Sequence, residues 1–338
     1  MRAVPGPRGR SALNHAIAIP AFALVGVAAP LVLSSYWLFI VGQGLFYVLA
    51  CLGLFLLYGR CGQLSLAHAA SMGVGAYVGV VSVNNGVLPA VSLVLSIAAA
   101  LLFGALQAGP AMRLSGLRFA VVTLAFGFLF NWIIENTPSI TGGTQGLSAP
   151  SIEIAGLALL DPDDALWAGL VLAYLGTLLT TRIARTRAGL RMVAIRDSIE
   201  AARSVGINVA KTKVLAFLLG SAFAGTSGWL IAFSSGFISA VDFNLFASSY
   251  LLIAVLLGGA NSVAGAWIGA AYIVLVPRLF SAVGLSESYP LLGGLMLIIV
   301  ALLAPDGIVG QISTVRQRLG SLRFRRPSPP TQETETAA

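Results

Sequence analysis

The sequence predicts an all-α polytopic membrane protein of about ten transmembrane or broken helices, with eight as the alternative count. Three observations carry that expectation. Hydrophobic residues make up 57% of the chain and charged residues 9%, far below the roughly 25% charged composition of soluble domains. Charge is absent from residues 11–59, 61–112, 119–134, 165–181, 214–241, 243–277 and 288–305. A helix crosses the hydrocarbon core with about 20 apolar residues, and a charge at its centre costs roughly 2.5–3.5 kcal/mol on insertion scales, so these stretches are the spans. The first two stretches are long enough for two spans each. Finally, the basic residues gather at the edges of the apolar runs. Arg2, Arg8 and Arg10 precede the first run, eight Lys and Arg fall within 182–213, and Arg316, Arg318, Arg323, Arg325 and Arg326 follow the last. Residues 135–164 hold five acidic side chains and no Lys or Arg. The positive-inside rule then places both termini and loop 182–213 in the cytoplasm, with 135–164 outside, which requires an even number of spans. A formal charge of +8 distributed in this way points to a lipid surface and away from nucleic acid.

Residues 1–14 form a cytoplasmic N-terminal segment, and 15–310 a transmembrane domain. The arginines before the first apolar run have the look of a signal peptide. An uncleaved span, about His15 to Leu33, fits the charge pattern better. Span two runs from about Phe39 to Tyr58, and Arg60 marks the cytoplasmic return. Gly62 to Val81, GQLSLAHAASMGVGAYVGVV, mixes small and polar residues into an apolar background. Two readings stay open: a closely packed internal helix, or a broken, re-entrant element lining a cavity. For His68, a hydrogen-bonded packing role is favoured over a transport role. Span four, about Leu88 to Ala108, ends at Gly109-Pro110. The next segment enters with Arg113 and Arg118 and leaves with Asn131 and Glu135, and ITGGTQGLS beyond it has the composition of an ordinary loop. Span six covers about Ala165 to Thr181 and span seven about Val214 to Ser234. Leu245 to Phe280 is too long and too rich in glycine for one helix, and suits two short spans or a broken pair. Gly62, Ser65 and Gly75-Ala76-Tyr77 parallel Gly259, Ser262 and Gly269-Ala270-Ala271-Tyr272, a possible inverted repeat of the kind transporters place around a central pathway. A last span, about Tyr289 to Ala304, ends at PDGIVG, and 311–338 is a basic, then disordered, cytoplasmic tail.

Several chemistries are missing. No G-x-x-x-x-G-K-[ST] occurs and the lysines are Lys211 and Lys213, so no P-loop exists on this chain. Two histidines cannot supply H-E-x-x-H, Gly-x-Ser-x-Gly is absent, and no catalytic or metal-ligating set emerges. Cys51 and Cys61 lie in or beside apolar runs and are expected to pack. The span interiors offer no ionisable group for ion coupling, which argues for energy arriving from another chain.

Loop 182–213 shows an amphipathic pattern from Gly189 to Gly206, with Leu190, Val193, Ala194, Ile195, Ile199, Ala202 and Val205 on one face and Gly206 as the stop. It suits a helix lying on the membrane surface, or a docking helix for a soluble partner. Within it, RDSIEAARSVGIN (Arg196 to Asn208) resembles the EAA loop of bacterial ABC importer permeases. With GQLSLAHAASMGVGAY, LRFAVVTLAFG, TGGTQGL, LLGGANSVAGAWIGAA and PDGIVG in order, the chain resembles the permeases of branched-chain amino acid importers over about Arg60 to Gly310, and the longer of their two permease types.

That resemblance implies a multi-pass protein of the bacterial cytoplasmic (inner) membrane. It further implies a second permease subunit, two ATP-binding subunits and an extracytoplasmic solute-binding protein. The chain itself carries no cofactor and is no enzyme; with no ATPase domain appended, ATP and Mg are expected on the separate subunits. The ATPase-coupling residues implied are Arg196, Asp197, Glu200, Ala201, Ala202 and Gly206. For the substrate pathway the choice falls on Gln63, Ser65, His68 and Thr123, with Gly258 and Gly259 facing them. Ser71 and Met72 stand where relatives commonly show an aromatic residue. Related permeases handle urea, amides and other small solutes, an alternative substrate reading. An ion-coupled secondary transporter is the alternative from another class.

Overall fold

The computed structural model describes residues 28–282 apart from 115 and 155, together with 284, 307, 308, 310 and 311. Residues 1–14, most of span one, the last span and the tail beyond 311 lie outside the described residues.

Helix α1 (Ser35–Leu54) continues into a π-helical turn, Phe55–Arg60. After a non-helical stretch, α2 (His68–Asn84), α3 (Pro89–Ala111) and α4 (Gly116–Asn136) follow. Beyond the 135–164 segment come α5 (Pro162–Arg185), α6 (Arg187–Asp197), α7 (Ile199–Ser204) and α8 (Val209–Ser235). The described helices close with α9 (Leu245–Gly258) and α10 (Val263–Ala282). Six helices among the described residues are long and apolar enough to cross a membrane, namely α1 with its π-turn, α3, α4, α5, α8 and α10, while α9 is shorter. The expected count of about ten is not reached among the described residues, where α2 and α9 are short and most of the first span and the last span lie outside them.

Local chemistry sets the boundaries. Asp161 caps α5 by accepting from Asp163 N at 2.9 Å, with Pro162 in the first turn and Arg182 and Arg185 in the last, each suited to the helix dipole. Asn208 accepts from Lys211 N at 3.0 Å and starts α8 five residues before the expected Val214. The span thus includes Lys213, 2% exposed, which corrects the expectation of interiors without ionisable groups.

The bundle centres on α1 and α8. Helix α8 packs on α1, α2 and α3, α5 lies along α1, and α10 packs on α1 and α9. Small residues allow this closeness: a Cβ on Gly75 would strike the Gly225 backbone, and one on Gly228 would strike the Met72 carbonyl. Hydroxyl and indole groups tie the same helices. Ser227 Oγ donates to Phe46 O at 2.8 Å, Trp229 Nε1 donates to Ser92 Oγ at 2.9 Å, and Ser92 Oγ donates to Gly79 O at 3.1 Å. The exposed faces carry Val91, Val94, Leu95 and Leu102 on α3 and Val171, Leu175 and Leu179 on α5, surfaces suited to lipid.

The segment 135–164 is more ordered than an ordinary loop. β1 (Leu147–Ser148) pairs antiparallel with β4 (Phe237–Ile238), and β2 (Glu153–Ile154) with β3 (Leu157–Ala158). Gly146 has φ +76°, and a Cβ there would meet the Ile238 carbonyl. Thr141 Oγ1 donates to Ile134 O at 2.6 Å, anchoring the segment to the end of α4.

Loop 182–213 also differs from the single amphipathic helix expected over Gly189 to Gly206. Helix α5 runs on to Arg185, and α6 and α7 are separated at Ser198, whose extended backbone (φ −161°) lets its Oγ cap α7 through Ala201 N at 3.2 Å. Gly206 does close the pair, at φ +78°.

Replacing Gly228 by Val places branched carbons against rigid Met72 backbone and is expected to destabilise the chain by about 1–3 kcal/mol. Gly109→Ala, where a Cβ meets nothing within 4 Å, is expected to be neutral or slightly stabilising. Unfolding of the purified chain in mixed micelles compares the two.

Candidate functional site: the Arg196 junction

Two breaks in the helices lie at the end of the bundle that carries Arg60, α6 and α7. The first is the stretch 61–67 between the π-turn and α2; the second is 259–262 between α9 and α10. Each opens on a glycine with positive φ, Gly62 at +69° and Gly259 at +114°, a conformation that other residues adopt only with strain. Each then places a serine whose Oγ accepts from the amide two residues on: Ala67 N to Ser65 at 3.4 Å, and Ala264 N to Ser262 at 3.2 Å. The helices that follow carry Tyr77 and Tyr272, whose buried hydroxyls have no hydrogen-bond partner among the described residues. The parallel read from sequence is thus repeated in local conformation.

Arg196, at the end of α6, joins the π-turn that leads into the first break to the second break. Its Nη1 donates to Gly59 O in the π-turn at 2.7 Å and to Asn261 Oδ1 in the second break. Its Nε and Nη2 donate to Asp197 Oδ1 at 3.2 and 3.1 Å. The planar guanidinium can serve several acceptors at once, which a lysine ammonium cannot do in this geometry. Approach is close because the partners are glycines: a Cβ on Gly62 would sit 2.9 Å from Arg196 Cγ, and one on Gly59 would overlap the Ala260 carbonyl.

The remaining sequence-predicted coupling residues divide by exposure. Ala202 is buried with Met192 and Ile195 and roots α6 and α7 in the core. Glu200, Ala201, Arg203, Ser204 and Val205 face outward, Val205 being 73% exposed. Gly206 follows on the same exposed surface. Behind them, Lys213 Nζ donates to Ala111 O at 2.9 Å and Leu114 O at 3.1 Å, satisfying the last carbonyls of α3 and the turn beyond it.

The sequence-predicted pathway residues form a buried polar layer around the first break. Leu66 N donates to Thr123 Oγ1 at 3.0 Å, His68 Nε2 lies 3.0 Å from Ala50 O, and Gln63 Nε2 donates to Cys61 O at 3.3 Å. Ser65 Oγ donates to Gln107 Oε1 at 3.4 Å, and Gln107 Nε2 donates to Ser71 Oγ at 3.1 Å. Gly258 ends α9 and Gly259 opens the second break, both closely covered by backbone. A Cβ on Gly258 would meet Gly265 O, and Gly259 is covered by Gly265 and by Gly307 of the PDGIVG motif.

Gln63, Ser65, His68, Thr123, Gly258 and Gly259 all stand apart from the linings of the larger cavities. One of about 590 Å³ lies between α4 and the 240–246 connection, and one of about 400 Å³ lies between α2, α3 and α4. Sequence reasoning missed Gln107, Ser248 and Asn261. Gln107 is a lone amide in the apolar α3, a readable signal. Ser248 Oγ accepts from Ala69 N at 3.0 Å and Asn261 meets Arg196, pairings that only the fold reveals.

Residues 36–301 match the family model described as branched-chain amino acid transport system / permease component. The high-affinity branched-chain amino acid transport system permease protein LivM of Salmonella typhimurium is 30% identical, over 88% of this chain and 76% of the relative. The corresponding permease protein LivH of the same organism is 25% identical, over 78% of this chain and 91% of the relative. The autoinducer 2 import system permease protein LsrC of Enterobacter sp. is 26% identical, over 74% and 72%. No solved structure matches the chain.

Lys213→Met removes both donors to Ala111 O and Leu114 O while keeping much of the aliphatic stem. Leaving such carbonyls unsatisfied is expected to cost about 1–3 kcal/mol. The measurable sign is faster amide hydrogen exchange at the α3–α4 turn, with the α9–α10 break unchanged.

Proposed function

We propose, from the premise that this chain belongs to the family of permease components of branched-chain amino acid transport systems, that it is the longer-type permease subunit of an ATP-driven importer for branched-chain amino acids. The observation that carries this reading is the Arg196 junction. An exposed helix pair, α6 and α7, is hydrogen-bonded through one guanidinium to the π-turn that precedes the first break and to the second break. A force applied to that pair from outside therefore reaches the π-turn of α1 and the α9–α10 break together.

In this reading α6 and α7 face the cytoplasm, as do both termini, and 135–164 lies outside the bacterial cytoplasmic membrane. Two ATP-binding subunits hold ATP and Mg and dock on the surface of Glu200, Ala201, Arg203, Ser204 and Val205. A second permease subunit completes the transmembrane pair, and an extracytoplasmic solute-binding protein delivers the solute. Closure of the ATP-binding pair displaces α6 and α7, and Arg196 passes the displacement to the helix breaks beneath the polar layer of Ser65, Gln107 and Ser71. The chain supplies the passage and the linkage, and hydrolysis occurs on its partners. A second reading, the same architecture carrying another small solute, draws support from the autoinducer 2 import permease among the relatives.

Co-purification of an ATPase with the chain is the direct test, and solute transport by the chain alone would overturn the reading. Glu200→Lys reverses a charge on the exposed docking surface; uptake and stimulated ATP hydrolysis are expected to fall at least tenfold, about 1.4 kcal/mol, with membrane insertion unchanged. Arg196→Lys keeps the charge and loses the fork. The ATPase is expected to stay bound while solute moved per ATP drops, and unchanged coupling in that variant would remove Arg196 from the mechanism.

A further inference from the structure

Helix α5 carries one exposed aliphatic stripe. Val171, Leu175 and Leu179 recur every fourth residue and are each 52% exposed. At about 3.6 residues per turn, Arg182 falls on the same face less than a turn beyond Leu179, and Arg185 follows. Both arginines are exposed. A stripe that passes from aliphatic to guanidinium within one turn has the profile of the boundary between lipid tails and lipid headgroups.

The chain then leaves helical geometry at Thr186 (φ −76°, ψ 168°), whose Oγ1 accepts from Gly189 N at 3.4 Å in the first turn of α6. A Cβ on Gly189 would strike the carbonyls of Ile183 and Ala184, so the start of α6 lies directly on the last turn of α5. This corner gathers Arg182 and Arg185 with the exposed Arg187 and Arg191, which bracket Leu190, 61% exposed. No carboxylate occurs between Asp164 and Asp197. None of the four guanidiniums makes an ion pair among the described residues; the Arg196–Asp197 pair lies at the far end of α6.

We infer that the α5–α6 corner binds anionic phospholipid, with the headgroup phosphate among the four guanidiniums and the acyl tails along Val171, Leu175 and Leu179. Guanidinium forks match phosphate oxygens, and basic side chains beside a span attract anionic lipid. An acidic protein surface would answer the arginines but leave the aliphatic stripe uncovered, whereas one lipid covers both. On α7 the exposed Glu200 and Arg203 offset each other, so the two halves of loop 182–213 differ in the partner they suit. Held in this way, α6 has one end at the lipid surface and the other at the Arg196 junction. The site needs only a chain that spans a membrane, and it stands whether or not an ATPase engages α7.

The test uses the full chain, purified with its accompanying subunits, in phosphatidylcholine nanodiscs. The probes are phosphatidylglycerol and phosphatidylcholine bearing the same photoreactive group at the start of one acyl chain, with adducts mapped by mass spectrometry. The phosphatidylglycerol probe is expected to label residues 179–191 at least about fivefold more than the phosphatidylcholine probe, the factor expected of a single guanidinium near a charged lipid. Both probes should label the exposed face of α3 equally. Arg182→Gln, Arg185→Gln, Arg187→Gln and Arg191→Gln, made together, are expected to erase the preference, and the four Lys replacements to retain most of it. Removing four positive charges also weakens the signal for orientation, so the native chain supplies a second arm: its preference should fall as salt rises. Equal labelling of the native corner by the two probes, a preference unaffected by salt, or one that survives in the Gln variant overturns the site. Loss of an accompanying subunit from the Gln variant, with no lipid preference in the native chain, would assign the corner to a protein partner instead.

Discussion

Backbone amides and carbonyls at membrane depth have to be satisfied by the protein, since lipid offers no partners. That constraint organises this molecule, because among the described residues its chain leaves helical geometry at 61–67 and 259–262, beside Arg196 at one end of the bundle. Each departure exposes peptide groups that a continuous helix would have paired. Thr123, Ser65 and Ser248 take amides at the first break, Ser262 takes one at the second, and Arg196 takes the Gly59 carbonyl between them. The polar residues scattered through an otherwise apolar sequence are therefore concentrated where the backbone requires them.

The same requirement explains why the coupling region and the breaks cannot be considered separately. Removing the Arg196 guanidinium would strip one donor from the π-turn and one from the α9–α10 connection at once. Buried Met192, Ile195 and Ala202 fix α6 and α7 to the core, so the exposed face of the pair cannot shift without carrying that donor along. The linkage is a matter of hydrogen-bond geometry on a rigid root.

Much of the architecture was legible because membrane insertion writes it into composition. The charge-free runs located α3 and α5 closely, and the glycine spacing in Leu245 to Phe280 anticipated a broken pair. Boundaries were less legible, since a lysine such as Lys213 can enter a span when backbone carbonyls receive it, and sequence hydropathy prices it as an exclusion. The division of 182–213 at Ser198 escaped periodicity because the pattern counted Leu190 and Val205 with Ile195 and Ala202, although the first two are exposed and the last two buried. For the candidate site, Arg196 was marked by motif, but its partners Gly59 and Asn261 lie 137 and 65 residues away in sequence, and no local pattern encodes that meeting. Gln63, Ser65, His68 and Thr123, chosen for the pathway as polar residues in an apolar setting, are buried and hydrogen-bonded around the first break.

Gly307, at φ +70°, rests its backbone directly on Gly259, with the space for a Cβ occupied by Gly259 N and Cα and by Leu256 O. In the order of synthesis this closure comes late. Residue 259 leaves the ribosome well before residue 307, so the α9–α10 turn is made with this side uncovered and meets Gly307 only later. Until Gly307 arrives, the backbone at Gly259 has that side open.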